Sequence, residues 1–163
     1  VADTIKSDVA NIVQSAKSLV DAKSELERQV DKLSQKVAQA NSTSLVDDAV
    51  DVDGVPVVAA KVDVETRDQL LTYADRLREQ MGDEGAALIG ADIDGSAALV
   101  CLVTDDTFQE RGLKAGDLVG AAASHVNGGG GGRPTLAQAG GSKVEGIPAA
   151  IDAFADLVRE QLG

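Results

Sequence analysis

The chain has 163 residues, a formal net charge of −12 at pH 7, 44% hydrophobic residues and only 2% aromatic ones. That is enough for one domain and an appendage, with a core of Val, Leu, Ile and Ala. A single cysteine and a single histidine exclude internal disulfides and a multi-cysteine zinc site, and no run approaches the roughly 20 apolar residues of a membrane span.

Residues 1–40 predict one helix with an apolar 3–4 repeat at Ile5, Val9, Ile12, Ala16, Leu19, Lys23, Leu26, Val30, Leu33, Val37 and Ala40. Only Lys23 breaks the seam, and spacing of alternately four and three residues is that of a coiled coil. Such a helix, about 60 Å long, cannot bury its own stripe. It calls for a partner: a second chain, or a helix outside this sequence. Ile5, Val9, Ile12, Leu19, Leu26, Val30, Leu33 and Val37 are therefore the candidate oligomerisation residues. The alternative is a helix packed on its own domain. The repeat is already running by Ile5, the first residue is Val1, and nothing there resembles a signal peptide; the chain reads as a fragment of a longer protein.

Asn41-Ser-Thr-Ser44 reads as the end of that helix and a polar linker, giving a helical arm over 1–41 and a globular domain over 45–163. The arm is neutral. Residues 42–163 carry nine basic and 21 acidic side chains, so the whole imbalance lies in the domain. There, Asp51–Gly54 reads as a turn, Val55–Val64 as a strand and Thr66–Met81 as an amphipathic helix. Ala86–Asp92 and Ser96–Thr104 read as strands joined by an Asp94-Gly95 hairpin turn. Asp105–Arg111 is a helical turn, and a helix from Lys114 or Ala115 runs to about Val126. Val144–Leu162 is the closing helix, with Pro148 in its first turn. Interleaved strands and helices predict a small mixed-sheet α/β (α+β) domain behind the long coiled-coil helix. Cys101, among apolar neighbours, reads as a buried thiol and fits a reducing cytoplasm.

The most specific stretch is Gly128–Gly141, GGGGGRPTLAQAGG. Five successive glycines are expected to form neither helix nor strand, each costing roughly 0.5–1 kcal/mol there relative to Ala; the stretch therefore reads as a loop. A glycine run lets another backbone approach closely and turns N–H groups to one side, which suits phosphate contact. It is no Walker A loop, because Arg133-Pro134 follows the glycines where Gly-Lys-Ser/Thr is needed. Arg133 offers a cation, or holds the loop through backbone carbonyls. Gln138 offers an amide that donates and accepts. Lys143 follows the loop, and Arg111 and Lys114 precede the helix before it. The candidate nucleic-acid-binding set is thus Arg111, Lys114, Gly128, Gly129, Gly130, Gly131, Gly132, Arg133, Gln138, Gly140, Gly141 and Lys143. With so few aromatics, RNA contact is expected through helix shape and backbone. His125 reads as a capping or packing residue at a helix end beside Asn127, and Asp92 and Asp94 as solvated turn residues. No catalytic constellation is visible and no metal site is expected.

The segment Gly129–Gly141 resembles the signature of the C-terminal domain of alanyl-tRNA synthetases, a domain of the DHHA1 type also attached to DHH phosphoesterases. Those relatives carry a Gly-Gly-Gly-His version, whereas this chain has Arg133 after its glycines. The resemblance implies a module that contacts the outer corner of alanine tRNA and supports alanylation and editing by upstream domains of the same chain. It also implies that the helical arm can support oligomerisation, with a homodimer through the coil as one form, in a cytoplasmic setting without membrane contact. ATP, magnesium and zinc would serve the parent enzyme, an ATP-dependent alanine–tRNA ligase; no cofactor is expected in residues 1–163. The other readings are a dimerisation module without RNA contact, and the C-terminal half of a DHH-type phosphoesterase or editing protein.

Overall fold

The computed structural model describes the backbone of residues 2–163 and the side chains of residues 6–33, 35–36 and 45–163. It divides into two compact units, one ending at Ala38 and one running from Gln39 to Gly163. The first helix, α1, spans Ala2–Asp47. Contrary to expectation it continues through residues 41–44. Asn, Ser and Thr each cost only up to about 0.7 kcal/mol in a helix, and no Gly or Pro stands there to break it. The helix instead gives way at 48–49, where the Ala49 N–H donates to the Val46 carbonyl at 3.1 Å. In the seam, Leu19, Ile12, Leu26, Leu33, Val30 and Val9 are all more than half exposed. The side chains of Ile5 and Val37 lie outside the described residues.

The second unit is a six-stranded mixed sheet with helices on both faces. In chain order it contains β1 (Val50–Val52), β2 (Val55–Lys61), α2 (Arg67–Met81), β3 (Ala86–Ile93) and β4 (Ser96–Val103). Then come α3 (Asp105–Arg111), α4 (Ala115–Ala123), a 3-10 turn Ser124–Val126, β5 (Gly128–Gly132), β6 (Leu136–Gly141), a second 3-10 turn and α5 (Ile147–Leu162). The strand order is β1-β2-β3-β4-β6-β5. Among neighbouring strands only β2 and β3 run parallel, joined by the crossover helix α2; the crossover through α3 and α4 carries the chain from β4 past the place of β6 to β5. The short β1 takes in Asp51 and Val52, expected to belong to a turn over Asp51–Gly54; the turn itself is confined to Asp53-Gly54. There and at Asp94-Gly95 both residues have positive φ, 52° and 89°, then 52° and 75°, the geometry that closes two-residue hairpins without splaying the strands. Asp51 and Asp92 each accept a hydrogen bond at 3.0 Å from the glycine three residues on, which gives Asp92 a turn role.

Period-two alternation sorts the sheet into two faces. Val55 and Val57 of β2, Ala86 and Leu88 of β3, Ala97, Leu99, Cys101 and Val103 of β4, and Ala137 and Ala139 of β6 join one core cluster. Leu118, Val119 and Ala122 of α4 and Ile147, Ala150, Phe154 and Val158 of α5 close it. Each large side chain buried there contributes about 1.5–3 kcal/mol. On the opposite face, Ala87, Ile89, Ala98, Val100 and Leu102 are buried, and α2 supplies Leu70, Tyr73, Ala74 and Leu77. Both faces of β4 are covered, as its continuous apolar run predicts.

The glycine run corrects the sequence expectation outright. Gly128–Gly132 is a β-strand, paired antiparallel with β6 in the register Gly128↔Gly141 to Gly132↔Ala137. The entropic cost of five glycines is offset by a continuous ladder to β6 and by α4 packing beside it.

Candidate nucleic-acid interface

The β5–β6 hairpin closes through Arg133 and Leu136, which exchange two backbone hydrogen bonds: the Arg133 N–H to Leu136 O at 2.9 Å and the Leu136 N–H to Arg133 O at 3.3 Å. An antiparallel ladder alternates hydrogen-bonded with closer, non-bonded pairs. Counting back from 133↔136 along the register, Gly131↔Gln138 and Gly129↔Gly140 are bonded pairs, and Gly132↔Ala137, Gly130↔Ala139 and Gly128↔Gly141 are close pairs. A Cβ on Gly128 would meet the carbonyl oxygen of Gly140; on Gly130, that of Gln138; and on Gly132, the Cα of Ala137 at 2.7 Å. At Gly129 and Gly131 an added Cβ would meet nothing within 4 Å. The five glycines thus do two jobs. Three permit the approach of β6, and two leave an open surface.

That open surface lies on one face of the sheet. Ala137 and Ala139 point into the core under α4, so Gln138 and Gly140, with Gly129 and Gly131 opposite them, face the α2 side. All five β5 residues and Gln138 are exposed. Two strands of the sheet therefore present nearly bare backbone, with Gln138 the one long polar side chain standing on it.

Cations border this face. Arg133 is exposed at the hairpin turn. Beside it the Ala115 N–H donates to the Pro134 carbonyl at 2.7 Å, which brings the start of α4, with exposed Lys114, against the same turn. The backbone of Lys114 is further tied to Gln161 Oε1 at 3.4 Å. Lys143 lies past the other end of β6, its N–H bonded to Val126 O at 3.0 Å. It is separated from Arg133 by the length of the hairpin, about 17 Å for five residues. Arg111 does not join them. Its Nη2 sits 3.2 Å from where a Cβ on Gly54 would be, at the β1–β2 turn on the opposite edge of the sheet. His125 is exposed on its 3-10 turn and, contrary to the packing expectation, does not enter the core.

The sequence reading missed two features. First, residues 118–144 contain no Asp or Glu at all, although the chain has 27; Asp117 and Glu145 bound this window, which holds Arg133 and Lys143. The signal stood in the sequence but was hidden by the average charge. Second, Arg67, the first residue of α2, extends to Gly140, with its Nη2 3.0 Å and its Cζ 4.0 Å from the Cβ position there. Only the folded sheet brings the two together. Among the described residues no group of three His, Cys, Asp or Glu is gathered as metal ligands, and no helix is long and apolar enough to cross a membrane.

Comparison with known proteins identifies the family and the fold. The model of the DHHA1 domain matches residues 54–160. The alanine–tRNA ligase of Pediococcus pentosaceus is 40% identical over 157 residues, 96% of this chain and 17% of that protein. That of Pseudoalteromonas translucida is 37% identical over 152 residues, 93% of this chain and again 17% of the relative. The chain thus spans about a sixth of the length of these relatives. Its fold resembles the C-Ala domain of Aquifex aeolicus alanyl-tRNA synthetase, with a TM-score of 0.61 at 21% identity, covering 68% of this chain and 97% of that one.

Proposed function

The chain belongs to the DHHA1 domain family, and from that premise we propose that it is the tRNA-contacting C-terminal module of an alanine–tRNA ligase, with the β5–β6 hairpin as its docking surface. The observation that carries this reading is the acid-free, cation-bordered hairpin on a domain that is otherwise strongly acidic. Carboxylates near the site would repel phosphate, and their exclusion from 27 consecutive residues leaves Arg133 and Lys143 to attract it, with Lys114 brought to the hairpin turn by the Ala115–Pro134 hydrogen bond. Exposed glycines let an RNA backbone approach to the distance of the peptide chain. Such contacts position a nucleic acid without reading its sequence. Alanine tRNA is the partner, upstream catalytic and editing domains of the same chain carry out the chemistry with ATP, magnesium and zinc, and the setting is cytoplasmic.

The test is a titration with alanine tRNA and a non-cognate tRNA across KCl concentration. Both are expected to bind with similar affinity that falls with salt. Arg133→Ala is expected to weaken binding several-fold and flatten the salt slope. A folded chain that binds neither tRNA at low salt would remove the reading.

The exposed seam of α1 supports a second role. Leu19 is 72% and Ile12 67% exposed, and a stripe of that length on a soluble helix is an association surface. We propose self-association through α1, a helical pairing that would bury Ile12, Leu19, Leu26 and Leu33.

A further inference from the structure

We propose that Arg67 binds a phosphate of the RNA backbone lying across the bare face of β5 and β6; the inference rests on the tRNA-docking reading above. Arg67 is exposed, and among the described residues its guanidinium has no ion pair and no hydrogen bond. Arg76 on the same helix is likewise without an ion pair, and its Nε is buried without a partner, whereas the Arg67 guanidinium is exposed beside the open strand face. Glu65 and Asp68 flank it in sequence, yet neither is its partner. On the same helix Arg78 is paired with Asp75 at 3.8 Å, and on α5 Arg159 is paired with Asp156 at 2.7 Å. Arg67 instead lies over Gly140, where the missing side chain makes room for it. Gln138 stands two residues along β6 on the same face, and Gly129 is directly opposite Gly140. The guanidinium thus borders the open glycine surface on its α2 side, while Arg133 borders it at the hairpin turn.

The base of the side chain is held in place. Thr66 caps α2, its Oγ1 accepting from the Gln69 N–H at 3.2 Å, and the Gln69 side chain returns to accept from the Glu65 N–H at 2.9 Å. A planar, permanently charged fork with all of its donors unused fits phosphate bidentately. The charge pattern calls for a polyanion, and the bare strand surface without side-chain pockets favours RNA over an acidic protein as the occupant. The surface has backbone groups and one amide, and its openness accommodates a ribose-phosphate chain without a side-chain pocket.

The experiment measures tRNA affinity across KCl for the whole chain and for Arg67→Ala, Arg67→Lys and Arg78→Ala. Arg67→Ala is expected to weaken binding about tenfold and to lower the salt slope by roughly 0.7–0.9, one phosphate contact. Arg67→Lys is expected to keep the slope but lose several-fold in affinity, because an ammonium cannot bind bidentately. Arg78→Ala removes the same charge from the same helix and is expected to change affinity less than twofold. Wild-type affinity and slope in Arg67→Ala would overturn the assignment, as would an equal loss in Arg78→Ala, which would mark a net-charge effect. Absence of binding by the unmodified chain would instead count against the docking function itself.

Discussion

Gly130 and Gly131 are neighbours in the same strand, yet a methyl group would have opposite effects on them. At Gly130 it falls on the β6 backbone, and at Gly131 it enters open space. Gly131→Ala removes unfolded-chain freedom without a clash and is expected to stabilise the fold by roughly 0.5 kcal/mol. Gly130→Ala is expected to destabilise it by about 1–3 kcal/mol, the usual cost of overpacking. Urea melts of the two variants check this; equal midpoints would contradict the ladder geometry. If the docking surface is as proposed, Gly131→Ala also weakens tRNA binding while the fold becomes more stable, a combination that a purely structural glycine would not give. Two buried groups make a separate prediction. Burial pushes the Cys101 thiol far above its ordinary value of 9.0 and raises the Tyr73 phenol above 10.0. Both bind their protons more tightly in the folded state, so their contribution is constant below pH 9 and is lost as the unfolded forms ionise above it. Stability is expected to fall from pH 9 upward, at up to about 1.4 kcal/mol per pH unit for the thiol alone. Thermal melts between pH 8 and 10 should show this fall, and Cys101→Ala should remove its first part.

At the scale of elements, the helices and hydrophobic strands were legible in the sequence because their patterns repeat. The stripe of α5, the continuous apolar run of β4 and the two Asp-Gly turns each state a local geometry that the fold obeys. β5 was not legible. Its sequence has no side chains, so it carries no period, and local propensity argues against a strand. The pairing is imposed by β6 and α4, which are tertiary partners. β1 is only three residues long and was hidden in its turn for a related reason. The site was legible in its residue types but not in its membership. Arg133, Gln138 and the glycines share one hairpin because they are consecutive, whereas Arg111 left the group and Arg67 entered it through contacts between distant segments. The α2 cap connects this packing to the site. Thr66→Ala is expected to cost about 1 kcal/mol and to loosen the helix end that carries Arg67, so melting temperature and tRNA affinity should fall together. In α1 the consequence is association. Leu19→Asp with Leu26→Asp places charges in the seam and is expected to shift any dimer to monomer in sedimentation without lowering the melting temperature of residues 39–163. A wild-type chain that stays monomeric at high concentration would rule out self-association.

At the scale of the whole molecule, charge is distributed so that salt acts in two directions. Residues 42–163 hold 21 acidic against nine basic side chains, and among the described residues only two ion pairs are found there, one within α2 and one within α5, both exposed. Such pairs contribute little, so the excess carboxylates repel one another with little local compensation. Raising the ionic strength from 0.01 M to 1 M shortens the screening length from about 30 Å to about 3 Å and should relieve that repulsion. The melting temperature is therefore expected to rise with KCl into the molar range. The acid-free hairpin responds oppositely, because a bound polyanion is held there by cations whose attraction the same salt screens, so tRNA affinity should decline as stability grows. The two effects are separable by substitution. Asp→Asn changes at residues remote from β5 and β6, such as Asp47 and Asp48 before β1 at the opposite edge of the sheet, should raise stability at low salt and flatten its salt dependence while leaving the slope of tRNA binding intact. Arg67→Ala and Arg133→Ala should do the reverse. If stability and affinity instead moved in the same direction with KCl, the acidic surface and the hairpin would belong to one electrostatic system, and the partition of charge between body and docking face would be wrong.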